Sequence, residues 1–117
     1  SVWALGRMEH SAKRAVPMLM EMCRDQDTEV REQSVMALGR IKDTSALQEV
    51  VGVLAGDSDP VVREAAALAL GVMGDVRAVP ALQKASKDKD PAVRNAAQQA
   101  LDRMGELEIE VFKKRPL

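Results

Sequence analysis

A chain of 117 residues suffices for one domain, and its 17 basic against 18 acidic residues leave none of the basic excess that a nucleic-acid binder carries. The single cysteine, Cys23, excludes an internal disulfide and suits the cytoplasm, while the longest apolar run, residues 65–70, falls far short of the ~20 residues that cross a bilayer. Trp3 and Phe112 are the only aromatic residues beside abundant alanine and leucine, a balance that favours helices over strands, and the N-terminus has no basic-then-apolar signal pattern.

Residues 2–8 (Val-Trp-Ala-Leu-Gly-Arg-Met) align with residues 35–41 and 67–73, so they read as the second half of a recurring helix. This predicts a half-repeat over residues 1–8. A helix of about two turns is marginal alone, and the chain therefore reads as a fragment of a longer array. Residues 9–13 read as an irregular polar connection. Residues 14–24 predict a helix with Pro17 near its start and Val16, Leu19 and Cys23 on one face. Matching leading helices follow over residues 45–55, with Leu47, Val50 and Leu54, and over residues 77–87, with Val79, Leu82 and Ser86.

Each leading helix is followed by Asp-x-Asp, whose second aspartate is placed as an N-cap: Asp27, Asp59 and Asp90. Pro60 and Pro91 then occupy the first helical position, where proline's fixed φ costs nothing. The trailing helices carry Val30, Ser34, Ala37, Leu38 and Ile41 on one face, then Val62, Ala66, Ala69, Leu70 and Met73, then Val93, Ala97, Ala100, Leu101 and Met104. The recurring alanines let such helices approach closely.

Arg31, Arg63 and Arg94 mark the repeat, standing 32 and 31 residues apart. A fixed period of this size predicts an all-α solenoid, with repeats over about residues 12–41, 44–73 and 77–104. In the third trailing helix Gln98, Gln99 and Asp102 replace Ala67, Leu68 and Gly71, giving the polar outer face of a terminal cap. Residues 1–105 thus form the repeat domain and residues 106–117 a C-terminal tail. In that tail Glu106, Leu107, Glu108, Ile109, Glu110 and Val111 alternate with period two before the basic Lys113, Lys114 and Arg115, which predicts an extended or loose segment.

Three motifs resemble HEAT repeats, specifically the short HEAT-like type of the phycobilin lyases: Ala-Val-Pro-x-Leu at residues 15–19 and 78–82, Asp-x-Asp-x-x-Val-Arg, and Ala-Leu-Gly. The resemblance covers residues 2 to about 105. It implies a right-handed α-solenoid of about three helix pairs plus the half-repeat, with the trailing helices lining the concave face. It also implies a structural ladder between adjacent repeats, built from Asp25, Asp57 and Asp88 with Arg31, Arg63 and Arg94. The first repeat departs from the pattern at Thr28 and Ser34, and the second has Gln48 in place of proline. Recurrence at the repeat period by itself favours a structural role for these charges over a binding role.

On the opposite face of the trailing helices, Trp3, Met36, Leu68 and Gln99 occupy equivalent positions, beside Glu32, Glu64 and Asn95. Trp3, Met36 and Leu68 predict an apolar stripe for a partner helix or peptide, and Glu32 and Glu64 favour some positive charge on that partner. Met18, Met20, Met22 and Cys23 offer soft sulfur, but helical spacing divides them between faces, so they read as packing rather than metal ligands. His10, the only histidine, sits in a polar turn. The HEAT-like deoxyhypusine hydroxylases need several His-Glu pairs for iron, whereas this chain has one Glu9-His10 in the order Glu-His; the basic and aromatic residues of HEAT-like DNA glycosylases are largely missing as well.

The expected function is therefore that of a non-catalytic interaction module, an adaptor or scaffold segment without cofactor or metal, binding a protein and neither nucleic acid nor membrane. One alternative is a non-catalytic piece of a phycobilin-lyase-like or other HEAT-containing enzyme. Another is self-association through an uncapped N-terminal face carrying Val2, Leu5, Met8 and Val16.

Overall fold

The structure, a computed structural model, describes residues 11–113, with side-chain detail through residue 106. The half-repeat, Trp3, Glu9 and His10 lie outside the described residues. Beyond a helical segment at residues 11–14, six α-helices are defined among those described: α1 (Val16–Met22), α2 (Thr28–Ile41), α3 (Leu47–Gly56), α4 (Pro60–Met73), α5 (Val79–Ala85) and α6 (Pro91–Lys113). They pair as α1/α2, α3/α4 and α5/α6, and the trailing helices α2, α4 and α6 pack side by side as one layer of an α-solenoid.

Local chemistry sets the helix starts. Asp27, Asp59 and Asp90 each accept a hydrogen bond from the backbone N–H two residues on, at 2.9, 2.9 and 2.8 Å, and so satisfy an orphan donor. Two further caps were not part of the expected pattern. Asp43 and Asp75 accept from the N–H groups of Ser45 and Arg77 and open the single 3-10 turns Thr44–Ala46 and Val76–Ala78, which lead into α3 and α5. Residues 11–14 are likewise helical, with the Ala15 N–H donating to Ser11 and Ala12 carbonyls, so the irregular connection expected over residues 9–13 is ordered helix from residue 11. In the second and third repeats one short turn precedes the leading helix.

The helix ends also follow from backbone chemistry. α4 stops at Gly74 in the left-handed conformation, φ 66°, where glycine has no Cβ to clash. Lys42 occupies the equivalent place after α2 at φ 60°, a conformation that L-residues adopt at a cost.

The core lies between the leading and trailing layers. Leu38, Leu47, Leu70 and Leu82 are its largest fully enclosed side chains, backed by Val50, Val62 and Val93. Ser34 is 1 % exposed, yet its hydroxyl donates to the Val30 carbonyl at 2.6 Å, so the polar departure in the first repeat is satisfied within its own helix. Val16 is 2 % exposed and packs into this core, which removes it from the open N-terminal face expected for self-association; Val2, Leu5 and Met8 lie outside the described residues.

The trailing layer is unusually close. A Cβ on Gly39 would sit 2.8 Å from the Ala69 Cβ and 2.9 Å from its Cα, and a Cβ on Gly71 would sit 2.9 Å from the Ala100 Cβ. The glycine of Ala-Leu-Gly is therefore the point at which one trailing helix meets the backbone of the next. At the same position of α6 stands Asp102, exposed and accepting from the Gln98 side chain at 3.0 Å, in keeping with a polar last face.

The tail differs from expectation. α6 runs without a break past Gly105 to Lys113, 23 residues or about 35 Å, instead of giving way to an extended segment at residue 106. Extending an existing helix costs no nucleation, and no proline or capping residue interrupts residues 105–113, so these terms outweigh the period-two pattern. Because nothing lies within 4 Å of a Cβ built on Gly105, Gly105→Ala is expected to raise stability by roughly 0.5–1 kcal/mol and to increase the helical circular-dichroism signal. An unchanged or weaker signal counts against a helix there.

Candidate functional site

The N-terminal edge of the trailing layer carries a ladder of charges. Arg31 donates through Nε and Nη2 to the two carboxylate oxygens of Asp57, at 2.9 and 3.2 Å, and Arg63 repeats this fork on Asp88 at 3.1 and 3.2 Å. The remaining Nη1 turns inward to the backbone, from Arg31 to the Asp25 and Gln26 carbonyls and from Arg63 to the Asp57 carbonyl. Each aspartate meanwhile accepts the N–H two residues on, so Asp25, Asp57 and Asp88 shape the turn before the cap. One arginine thus ties its own turn to the turn of the following repeat. The Arg63 hydrogen bonds hold the Asp88 carboxyl below the usual carboxylate range. Arg94 keeps only the inward half of the pattern, donating to the Asp88 and Lys89 carbonyls, and has no carboxylate partner among the described residues. With nearly every donor and acceptor engaged, Arg31, Arg63, Asp57 and Asp88 have little left to offer a ligand.

Facing away from the core, α2 and α4 enclose a groove of about 330 Å³. Glu32, Met36 and Arg40 form one wall at four-residue spacing, with Val61, Glu64, Leu68 and Val72 on the other, and Gly39, Ala65 and Ala69 form the floor. The small floor residues are those that let the two helices touch, so the close packing itself creates the groove. Met36, Leu68 and Val61 remain 39 %, 43 % and 46 % exposed, too much for side chains covered by a neighbouring helix. The structure therefore brings Glu32, Met36, Glu64 and Leu68 together; Trp3, the remaining residue of the expected stripe, lies outside the described residues.

Val61, Val72 and Arg40 were absent from the expected site. Val61 is the α4 equivalent of Glu29 and Val72 is the equivalent of Arg40, so comparing all outward positions across the repeats would have found them. The sulfur-rich run on α1 divides differently from a uniform packing role: Met20 and Cys23 join the core, whereas Met18 is 59 % and Met22 36 % exposed. Burial pushes the Cys23 thiol up to about 11, which keeps it protonated at neutral pH and a poor nucleophile and ligand.

Residues 1–71 and 49–114 each match the family of HEAT repeats, together spanning nearly the whole chain. The chain belongs to the HEAT-repeat family. Modules of this family are generically protein-binding scaffolds. Human deoxyhypusine hydroxylase, solved in complex with glycerol, has a similar fold: the TM-score is 0.79 at 24 % identity, over 100 % of this HEAT-repeat chain and 42 % of that protein. The chain thus spans less than half the length of this structural relative, and at that identity the likeness concerns the fold. No curated protein matches the sequence. Among the described residues of the HEAT-repeat chain, no helix is long and apolar enough to cross a membrane.

Proposed function

We propose that this HEAT-repeat chain is a non-catalytic adaptor or scaffold segment that seats a partner helix or peptide in the groove between α2 and α4. The observation that carries this reading is the convergence of three large exposed apolar side chains, Met36, Val61 and Leu68, on one concavity with glutamates at its rim. Contiguous apolar surface of this kind is what an amphipathic segment buries, whereas isolated exposed apolar residues are commonplace. Glu32 and Glu64 add a preference for a partner with positive charge.

Peptides selected on the chain from a random display library test this. Leu68→Asp or Met36→Asp is expected to weaken the selected peptides at least about tenfold, equivalent to 1.4 kcal/mol. Val76→Asp, at a 62 % exposed position in the turn before α5, leaves binding unchanged. Peptides that respond to Val76→Asp and ignore Leu68→Asp contradict the proposal.

A further inference from the structure

We infer that the partner segment is an electrically bipolar helix, reading acidic, apolar, basic from its N-terminus and lying antiparallel to α2 and α4; this rests on the docking reading above. The ladder fixes the direction of the groove. Arg31, near the start of α2, grips Asp57, just ahead of α4, so the two helices run the same way with their N-termini at one edge. Glu32 and Glu64 consequently mark one end of the groove and Arg40 the other, with Met36 and Leu68 between them. The row from Glu32 to Arg40 spans eight residues, about 12 Å or two helical turns. Among the described residues, none of these three charges takes part in an ion pair or a side-chain hydrogen bond. Flanking apolar walls lower the local dielectric and sharpen their preference for complementary charge.

A helix matching this row places a basic residue against the glutamates, an apolar residue one turn away between Met36 and Leu68, and an acidic residue a further turn on, against Arg40. Two physical terms select the antiparallel orientation. A helix is itself more stable with its acidic residue toward the N-terminus and its basic residue toward the C-terminus. The negative C-terminal end of such a helix also comes to lie near the positive N-terminal ends of α2 and α4.

The test uses two phage-displayed libraries of alanine-rich helices about 18 residues long, roughly 27 Å. One has Glu at a fixed position and Lys eight residues later, the other has the reverse order, and both are randomised between. Binders are first sorted by loss of affinity on Leu68→Asp, with circular dichroism confirming that each variant is folded. The inference expects the Leu68-dependent binders to come from the acidic-first library and to weaken at least tenfold on joint Glu32→Lys and Glu64→Lys substitution. Leu68-dependent binders drawn equally from both libraries and indifferent to the charge reversal overturn the bipolar helix while leaving the groove a docking site. If neither library yields a Leu68-dependent binder, the docking reading fails, and the inference with it.

Discussion

Replacing Arg63 by alanine lowers the unfolding free energy by about 2–3 kcal/mol, whereas Arg94→Ala costs at most about 1 kcal/mol. The two arginines occupy the same place in consecutive repeats, and both donate to backbone carbonyls of their own turn. Among the described residues only Arg63 of the two also forks onto a carboxylate, and the pair is mostly withdrawn from water, with side-chain exposures of 7 % and 15 %. Removing Arg63 leaves Asp88 with the Asp90 N–H alone, and the residual exposure keeps the cost below that of a fully buried orphan charge. The effect also depends on pH. Asp88 has a folded pKa held below its unfolded value, so its contribution is complete above the unfolded value of about 4 and is lost as pH falls through the folded one. Urea titrations of wild type, Arg63→Ala, Asp88→Ala and the double variant measure the coupling, and equal losses for Arg63→Ala and Arg94→Ala contradict a stabilising ladder.

Gly71→Val destabilises by about 3 kcal/mol, at the upper end of overpacking penalties. Its Cβ meets the Ala100 Cβ at 2.9 Å and the Ala100 Cα at 3.0 Å, and no rotamer change relieves contact with a Cα. α4 and α6 must separate, losing dispersion contacts along their length. Gly52, within α3, has nothing within 4 Å of an added Cβ, so Gly52→Ala gains about 0.5–1 kcal/mol from helix propensity. Opposite signs in thermal or urea unfolding are the expected result. A harmless Gly71→Val removes close packing as the reason for glycine in Ala-Leu-Gly.

What the sequence made legible was chiefly what repeats. The Asp-x-Asp turn, the caps at Asp27, Asp59 and Asp90 and the core faces recur three times, and each recurrence narrows the register of the others. The single events were harder to read. Residues 106–113 have no second copy to compare with, and there alternation suggested an extended or loose segment where continuation of α6 prevails. Lys42 hides a left-handed helix end because the glycine that such an end favours appears only at the equivalent Gly74. Val35 and Ala67 are enclosed because trailing helices cover one another laterally as well as from behind, a second buried face that a single-stripe reading of the helix misses. In the groove, Met36 and Leu68 were legible as outward positions, while Val61 was masked by the charged Glu29 at its equivalent in the first repeat.

The docking claim is tested most directly by the methyl spectrum of protein labelled with methyl-¹³C methionine, recorded with and without a selected groove peptide. Met36 lies in the groove wall, and Met18, on α1, is the more exposed at 59 %, so accessibility alone favours the wrong residue. The account predicts that the Met36 resonance shifts on saturation while that of Met18 stays in place. A shift at Met18 with Met36 unmoved contradicts it.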